Sequence, residues 1–73
     1  MDWIDVDSSM IKSVGYDESN QSLMINFNKG KTYSYANVPQ AIYIEMTKAE
    51  SIGTFFHQHI KGKYEAVLYN PEL

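Results

Sequence analysis

The run Gly30-Lys31-Thr32-Tyr33-Ser34-Tyr35-Ala36-Asn37-Val38-Pro39 constrains the fold more than any other part of this 73-residue chain. It opens on a turn glycine, alternates through two tyrosines and closes on a proline. Tyr33 and Tyr35 are two apart, so in a strand they share one face. Upstream, residues 22–27 alternate too, with Leu23, Ile25 and Phe27 on one face and Met24 and Asn26 on the other. Between the two runs, Asn28-Lys29-Gly30 has the length and chemistry of a three-residue hairpin loop with Gly30 in the left-handed conformation. Such a loop sets Phe27 opposite Lys31, Ile25 opposite Tyr33 and Leu23 opposite Tyr35. Both tyrosines then fall on the Leu/Ile face, which needs a cover. The other face collects Ser22, Met24, Asn26, Thr32, Ser34 and Ala36, and is expected to be wet.

Pro39 holds Val38 extended and suits the first turn of a helix, with Asn37 as its expected cap. Ile42, Met46 and Ala49 recur at helical spacing, flanked by Tyr43. Ser51 is expected to cap a second helix, in which Ile52, Phe55, Phe56 and Ile60 form one apolar stripe. Gly62 ends it, and His59, Lys61 and Lys63 lie where cations suit a helix C-terminus. Gly53 sits in the first turn, where close packing is its expected purpose. A first strand over residues 10–16 alternates imperfectly: Ile11 falls on one parity, Val14 and Tyr16 on the other, so a bulge is expected near Gly15. Residues 17–21 are a polar turn.

These elements assemble into an α+β domain: a three-stranded antiparallel meander with two short helices on one face. Residues 1–7 form an acidic N-terminal segment, read either as a short extra edge strand or as a frayed terminus. Residues 64–69 have the makings of a short final strand, and residues 70–73 are a tail. The domain itself spans residues 8–69. A chain of 73 residues makes one domain with a thin stability margin.

Charge and composition exclude several function classes. The net charge is −3, from nine carboxylates and six lysines, with no arginine. Asp2, Asp5, Asp7 and Glu72 lie at the ends, so residues 8–71 are close to neutral. Phosphate-backbone affinity grows with the number of phosphates neutralised, so this is a poor strong binder of that backbone. Cysteine is absent, which rules out disulfides and thiolate metal sites and fits a cytoplasmic protein. No apolar run reaches the ~20 residues of a membrane span.

The pattern Ser8-Ser9-x-Ile11-x-x-Val14-Gly15-Tyr16-Asp17, followed by residues 23–27, Gly30-Lys31-x-Tyr33-x-Tyr35 and Val38-Pro39, resembles the KTSC domain. The later run Ala49-x-Ser51-x-Gly53-x-Phe55-Phe56-x-x-x-Ile60-x-x-x-Tyr64 matches it as well. The resemblance covers roughly residues 8–64. The family takes its name from the C-terminus of some lysyl-tRNA synthetases. It also occurs as free-standing proteins of bacteria and phages, which this chain looks like. That attachment to synthetases implies RNA binding; it implies no catalytic residue.

Candidate sites follow from the residues. Tyr33 and Tyr35 are either a base-stacking platform or core tyrosines with hydroxyls at the sheet margin; the register favours the second. Lys29 and Lys31 bracket the hairpin tip, and Lys61 and Lys63 bracket the end of the second helix. Brought together they make a basic patch for RNA phosphate or an acidic protein; apart, they serve solubility. His57 and His59 point about 200° apart on a helix and cannot share an ion, so no metal is expected. No phosphate loop, nucleophile elbow or paired carboxylate motif is present. Ser8 and Ser9 lack a placed base and are expected to bond local backbone. The reading is a small non-catalytic interaction module that binds protein, with an accessory or inhibitory role on a phage or other mobile element. The alternative is an RNA or tRNA module using the Lys/Tyr surface. A small nucleotide between sheet and helices is a third option, and a homo-oligomer is left open.

Overall fold

The computed structural model describes residues 3–69; the expected tail at 70–73, and Met1 and Asp2 of the acidic segment, lie outside the described residues. The elements are β1 (Trp3–Asp5), β2 (Ile11–Asp17), β3 (Ser22–Phe27), β4 (Thr32–Tyr35), α1 (Gln40–Lys48), α2 (Ile52–His59) and β5 (Ala66–Leu68). The strands form one antiparallel sheet in the order β1-β2-β3-β4-β5. The three-stranded meander is thus the centre of a five-stranded sheet, a correction to the strand count. Both outer strands have three residues, all exposed, so neither carries the buried alternation that marks a strand in sequence.

The β3–β4 hairpin has the register that its loop dictates. Ile25 faces Tyr33 and Leu23 faces Tyr35. The Phe27 amide donates to the Lys31 carbonyl at 2.8 Å, and Gly30 has φ +97°, a conformation glycine adopts without strain. The bulge in β2 lies at Lys12, not near Gly15: Ile11 pairs with Phe27 but Ser13 already pairs with Asn26. One extra residue in β2 resolves the broken alternation. It turns both Ile11 and Val14 onto the face of Ile25, and both are fully buried.

That face meets the helices. Ile11, Val14, Leu23, Ile25 and Tyr35 form one core with Val38, Met46, Phe56 and Ile60. In α2 the stripe folds as its spacing dictates, with Phe56 and Ile60 buried and Ile52 and Phe55 packed against the core. Ser51 caps α2, its Oγ accepting from the Thr54 amide at 3.3 Å. Asn37 does not cap α1. It has φ +60° and turns the chain, while Pro39 occupies the N-cap position without a side-chain bond. Asparagine tolerates that left-handed backbone better than most residues, which is the role its short amide serves here.

The opposite face is not uniformly wet. Ser13 and Met24 are both nearly fully buried, and Met24 stands outside the main core. The cross-strand row through it reads Trp3, Gly15, Met24, Ser34, Val67. A long flexible thioether can lie flat over two neighbours as small as Gly15 and Ser34, which sequence alternation does not reveal. Among the described residues, no helix is long and apolar enough to cross a membrane.

Candidate functional site

The hairpin register and the docking of α2 together leave a pocket beside the hairpin on the helix-covered face. Its volume is about 440 Å³. The β3–β4 hairpin supplies Phe27, Asn28, Lys29, Lys31, Tyr33 and Tyr35; the entry to β2 supplies Ser9 and Met10; α2 and its end supply Phe56, His57 and Lys61. Burial sorts these residues into layers. Tyr35 and Phe56 are the buried floor, Met10, Phe27 and Tyr33 the half-buried walls, and Ser9, Asn28, Lys29, Lys31, His57 and Lys61 the exposed rim.

The floor and walls are held by edge-to-face aromatic contacts. Phe56 meets Phe27 at 5.5 Å and 71° between ring planes, and Tyr35 at 5.7 Å and 77°. Phe27 meets Tyr33 at 5.9 Å and 75°. These geometries suit the ring quadrupole, so the rings are fixed in place before any ligand arrives. His57 packs its ring against Phe56, and His59 packs against Phe55 on another side of the helix, so the two histidines do not converge.

Electrostatically the rim is one-sided. Three lysines line it and no carboxylate does. None of the three makes an ion pair within the described residues. Their combined field attracts anions over roughly a Debye length, ~8 Å at physiological salt. Burial, and then the neighbouring Tyr33, push the Tyr35 phenol above its ordinary value, so it stays a neutral donor at neutral pH. Neither the Tyr33 nor the Tyr35 hydroxyl has a hydrogen-bond partner among the described residues, and neither is sealed from solvent. Ser9 and His57 share the rim without a hydrogen bond joining them. Ser8, by contrast, accepts from the Met10 and Ile11 amides, fixing the backbone that carries the Ser9–Met10 wall.

Of the six sequence-derived site residues, Lys29, Lys31, Tyr33, Tyr35 and Lys61 come together at this pocket, and Lys63 does not. The chain leaves α2 through Gly62, at φ +79°, a left-handed turn between Lys61, which lines the pocket, and Lys63, which does not. The sequence reading missed Met10 and Asn28, weighed Ser9 and His57 only as a nucleophile and a metal ligand, and assigned Phe27 and Phe56 to the core alone. Phe27 could have been found, because the hairpin register already puts it beside Tyr33. Gly53 lies near the Ser8–Met10 segment, yet close packing does not require it. An added Cβ would sit 3.5 Å from Met10 Cε and 3.6 Å from Ser8 Oγ, which is ordinary contact. No group of three or more His, Cys, Asp or Glu side chains placed to hold a metal occurs among the described residues.

Comparison with known proteins adds a family. The KTSC domain matches residues 7–64. A crystal structure of a KTSC domain protein from Yersinia pestis superposes with a TM-score of 0.89 at 38% identity, covering 94% of this chain and 97% of that one. A protein of Tsukamurella paurometabola is 39% identical over 62 residues, which is 85% of this chain and 92% of its own length. A lysine–tRNA ligase of Trichormus variabilis is 37% identical over 59 residues, 81% of this chain but only 10% of the ligase.

Proposed function

The chain belongs to the KTSC domain family, and on that premise we propose that it is a non-catalytic interaction module whose partner is a protein, bound at the lysine-rimmed aromatic pocket. The family is a small module with no known catalytic chemistry. The observation that carries the reading is the pocket's layering: a preformed apolar floor inside a rim with three lysines and no carboxylate. Buried aromatic anchors inside a polar rim are how protein interfaces concentrate their binding energy. The absence of cysteine supports a cytoplasmic setting. The test is affinity capture from the source cells with the native chain beside a Lys29→Glu, Lys61→Glu variant. A partner held by the native chain and released by the variant supports the reading. Equal capture by both removes the pocket from it.

A second reading, RNA or tRNA binding, draws on a specific observation. The module makes up a tenth of the length of a lysine–tRNA ligase. It predicts a gel shift with tRNA that weakens steeply with salt. No shift at low salt rejects it.

A further inference from the structure

Resting on the protein-binding reading, we infer that the pocket takes an extended acidic segment of a partner protein, in which one large apolar side chain enters the pocket and an acidic residue two positions to each side meets the rim lysines. Three features of the pocket lead there.

The first is charge complementarity. Lys29 and Lys31 stand on the hairpin side of the mouth and Lys61 on the α2 side, with no carboxylate between them. Carboxylates approaching from both sides of a central residue each meet an ammonium. In an extended segment, side chains two residues apart point the same way and lie about 7 Å apart along the strand. The segment therefore reads acidic-x-apolar-x-acidic. Lysine is a compact point charge without arginine's planar fork, so it accepts a carboxylate without demanding one bidentate geometry.

The second is the arrangement of the rings. Stacking a nucleobase needs an open ring face. Here Phe27, Tyr33, Tyr35 and Phe56 engage one another edge to face, at interplanar angles of 71–77°. What they offer a newcomer is a fixed apolar recess that an aromatic or branched aliphatic side chain enters, extending the same edge-to-face packing. The third is the pair of Tyr33 and Tyr35 hydroxyls, which have no partner among the described residues and are ready to donate to the incoming backbone or carboxylate.

The experiment uses the full chain, labelled with nitrogen-15, and three synthetic peptides of one length. The first carries Asp-x-Trp-x-Asp, the second Lys in place of both Asp, the third Ala in place of Trp. Amide shifts are followed at low and high salt, and a short single-stranded RNA is titrated in parallel. The expected result is that the first peptide shifts the amides of Lys29, Lys31, Tyr33, His57 and Lys61. The other two should bind about tenfold or more weakly, a loss of ~1.4 kcal/mol or more. High salt should weaken the first peptide, Lys61→Glu should abolish its binding, and Lys63→Gln should leave it unchanged. Equal binding of the Lys and Asp peptides at the pocket would overturn the acidic segment while leaving a protein partner standing. Pocket shifts with RNA and none with any peptide would overturn both. Pocket shifts that grow with protein concentration alone would make a second copy the occupant and overturn the foreign segment.

Discussion

The helix-covered face of the sheet has two tyrosine clusters, one based on β2 and one on β4, and the two are built differently. On the β2 side, Tyr16 and Tyr43 stack with their centroids 5.1 Å apart and their rings 16° from parallel. The Tyr16 hydroxyl donates to the carbonyl of fully buried Val38, tying β2 to the segment that leads into α1. The charges near it are Asp17 and Glu18. On the β4 side, Tyr33 and Tyr35 meet two phenylalanines edge to face, their hydroxyls are uncommitted within the described residues, and the nearby charges are lysines. The same residue type closes one side of the core and leaves the other open. A tyrosine whose hydroxyl is spent on the fold belongs to the fold; one whose hydroxyl is spare is available to a partner.

Phe56 tests the comparison most severely, because it is the floor of the open cluster and also part of the core. Phe56→Ala should cost about 3–5 kcal/mol. In a domain of this size that approaches the whole stability, so chemical denaturation should find the variant largely unfolded. A small loss would mean that the open cluster is separable from the core.

Next come the two hydroxyls. Tyr16→Phe removes the only donor to the Val38 carbonyl among the described residues and should cost about 1–3 kcal/mol, the range for stranding a buried polar group. Tyr33→Phe removes a hydroxyl with no partner in the described chain and should change stability by no more than ~0.5 kcal/mol. Urea melts of the two variants side by side measure the difference. Equal losses would dissolve the distinction between the clusters.

Alkaline titration sharpens it. Burial first, then Glu18 and Asp17, raise the Tyr16 phenol above 10.0; burial first, then Tyr33, raise Tyr35. A raised folded pKa means that the native state holds its proton more tightly than the unfolded chain does. The resulting stability is fully present below about pH 10 and is lost as pH rises through the folded values. Melting temperature should therefore fall above pH 10, and less steeply in Tyr16→Phe. An unchanged slope in that variant would show that Tyr16 does not contribute.

How much of this was legible follows from range. Loop length and alternation within residues 22–35 fix the β3–β4 register, so the facing of Tyr33 and Tyr35 could be read from local sequence. The stripe of α2 was legible for the same reason. The outer strands were legible only as options, an edge strand within residues 1–7 and a final strand within 64–69: Trp3–Asp5 and Ala66–Leu68 have three residues each and no buried face, so their neighbours make them strands. The bulge was sensed from the parity break between Ile11 and Val14 but misplaced. Parity says that an extra residue is needed, not which one supplies it. The pocket depends on where α2 comes to rest against the hairpin, a contact between residues some 25 positions apart. Hence Lys61 and Lys63 looked equivalent in sequence, although the left-handed turn at Gly62 separates them.

The smallest expected effect concerns those lysines and completes the contrast between the clusters. Lys29, Lys31 and Lys61 are exposed and make no ion pair among the described residues, so the fold gains no attraction from them. Their mutual repulsion, screened by solvent, opposes the native state slightly. Changing Lys29 and Lys61 together to Gln should leave stability within about 0.5 kcal/mol of the native chain. The Tyr16 cluster should lose stability on its own local change, since its hydroxyl serves the fold. Melts of the double variant at low and high salt measure the small difference, which should shrink as salt is added. A marked loss of stability would show that the lysines are structural, and the open cluster would then lose its claim to be a surface kept for a partner.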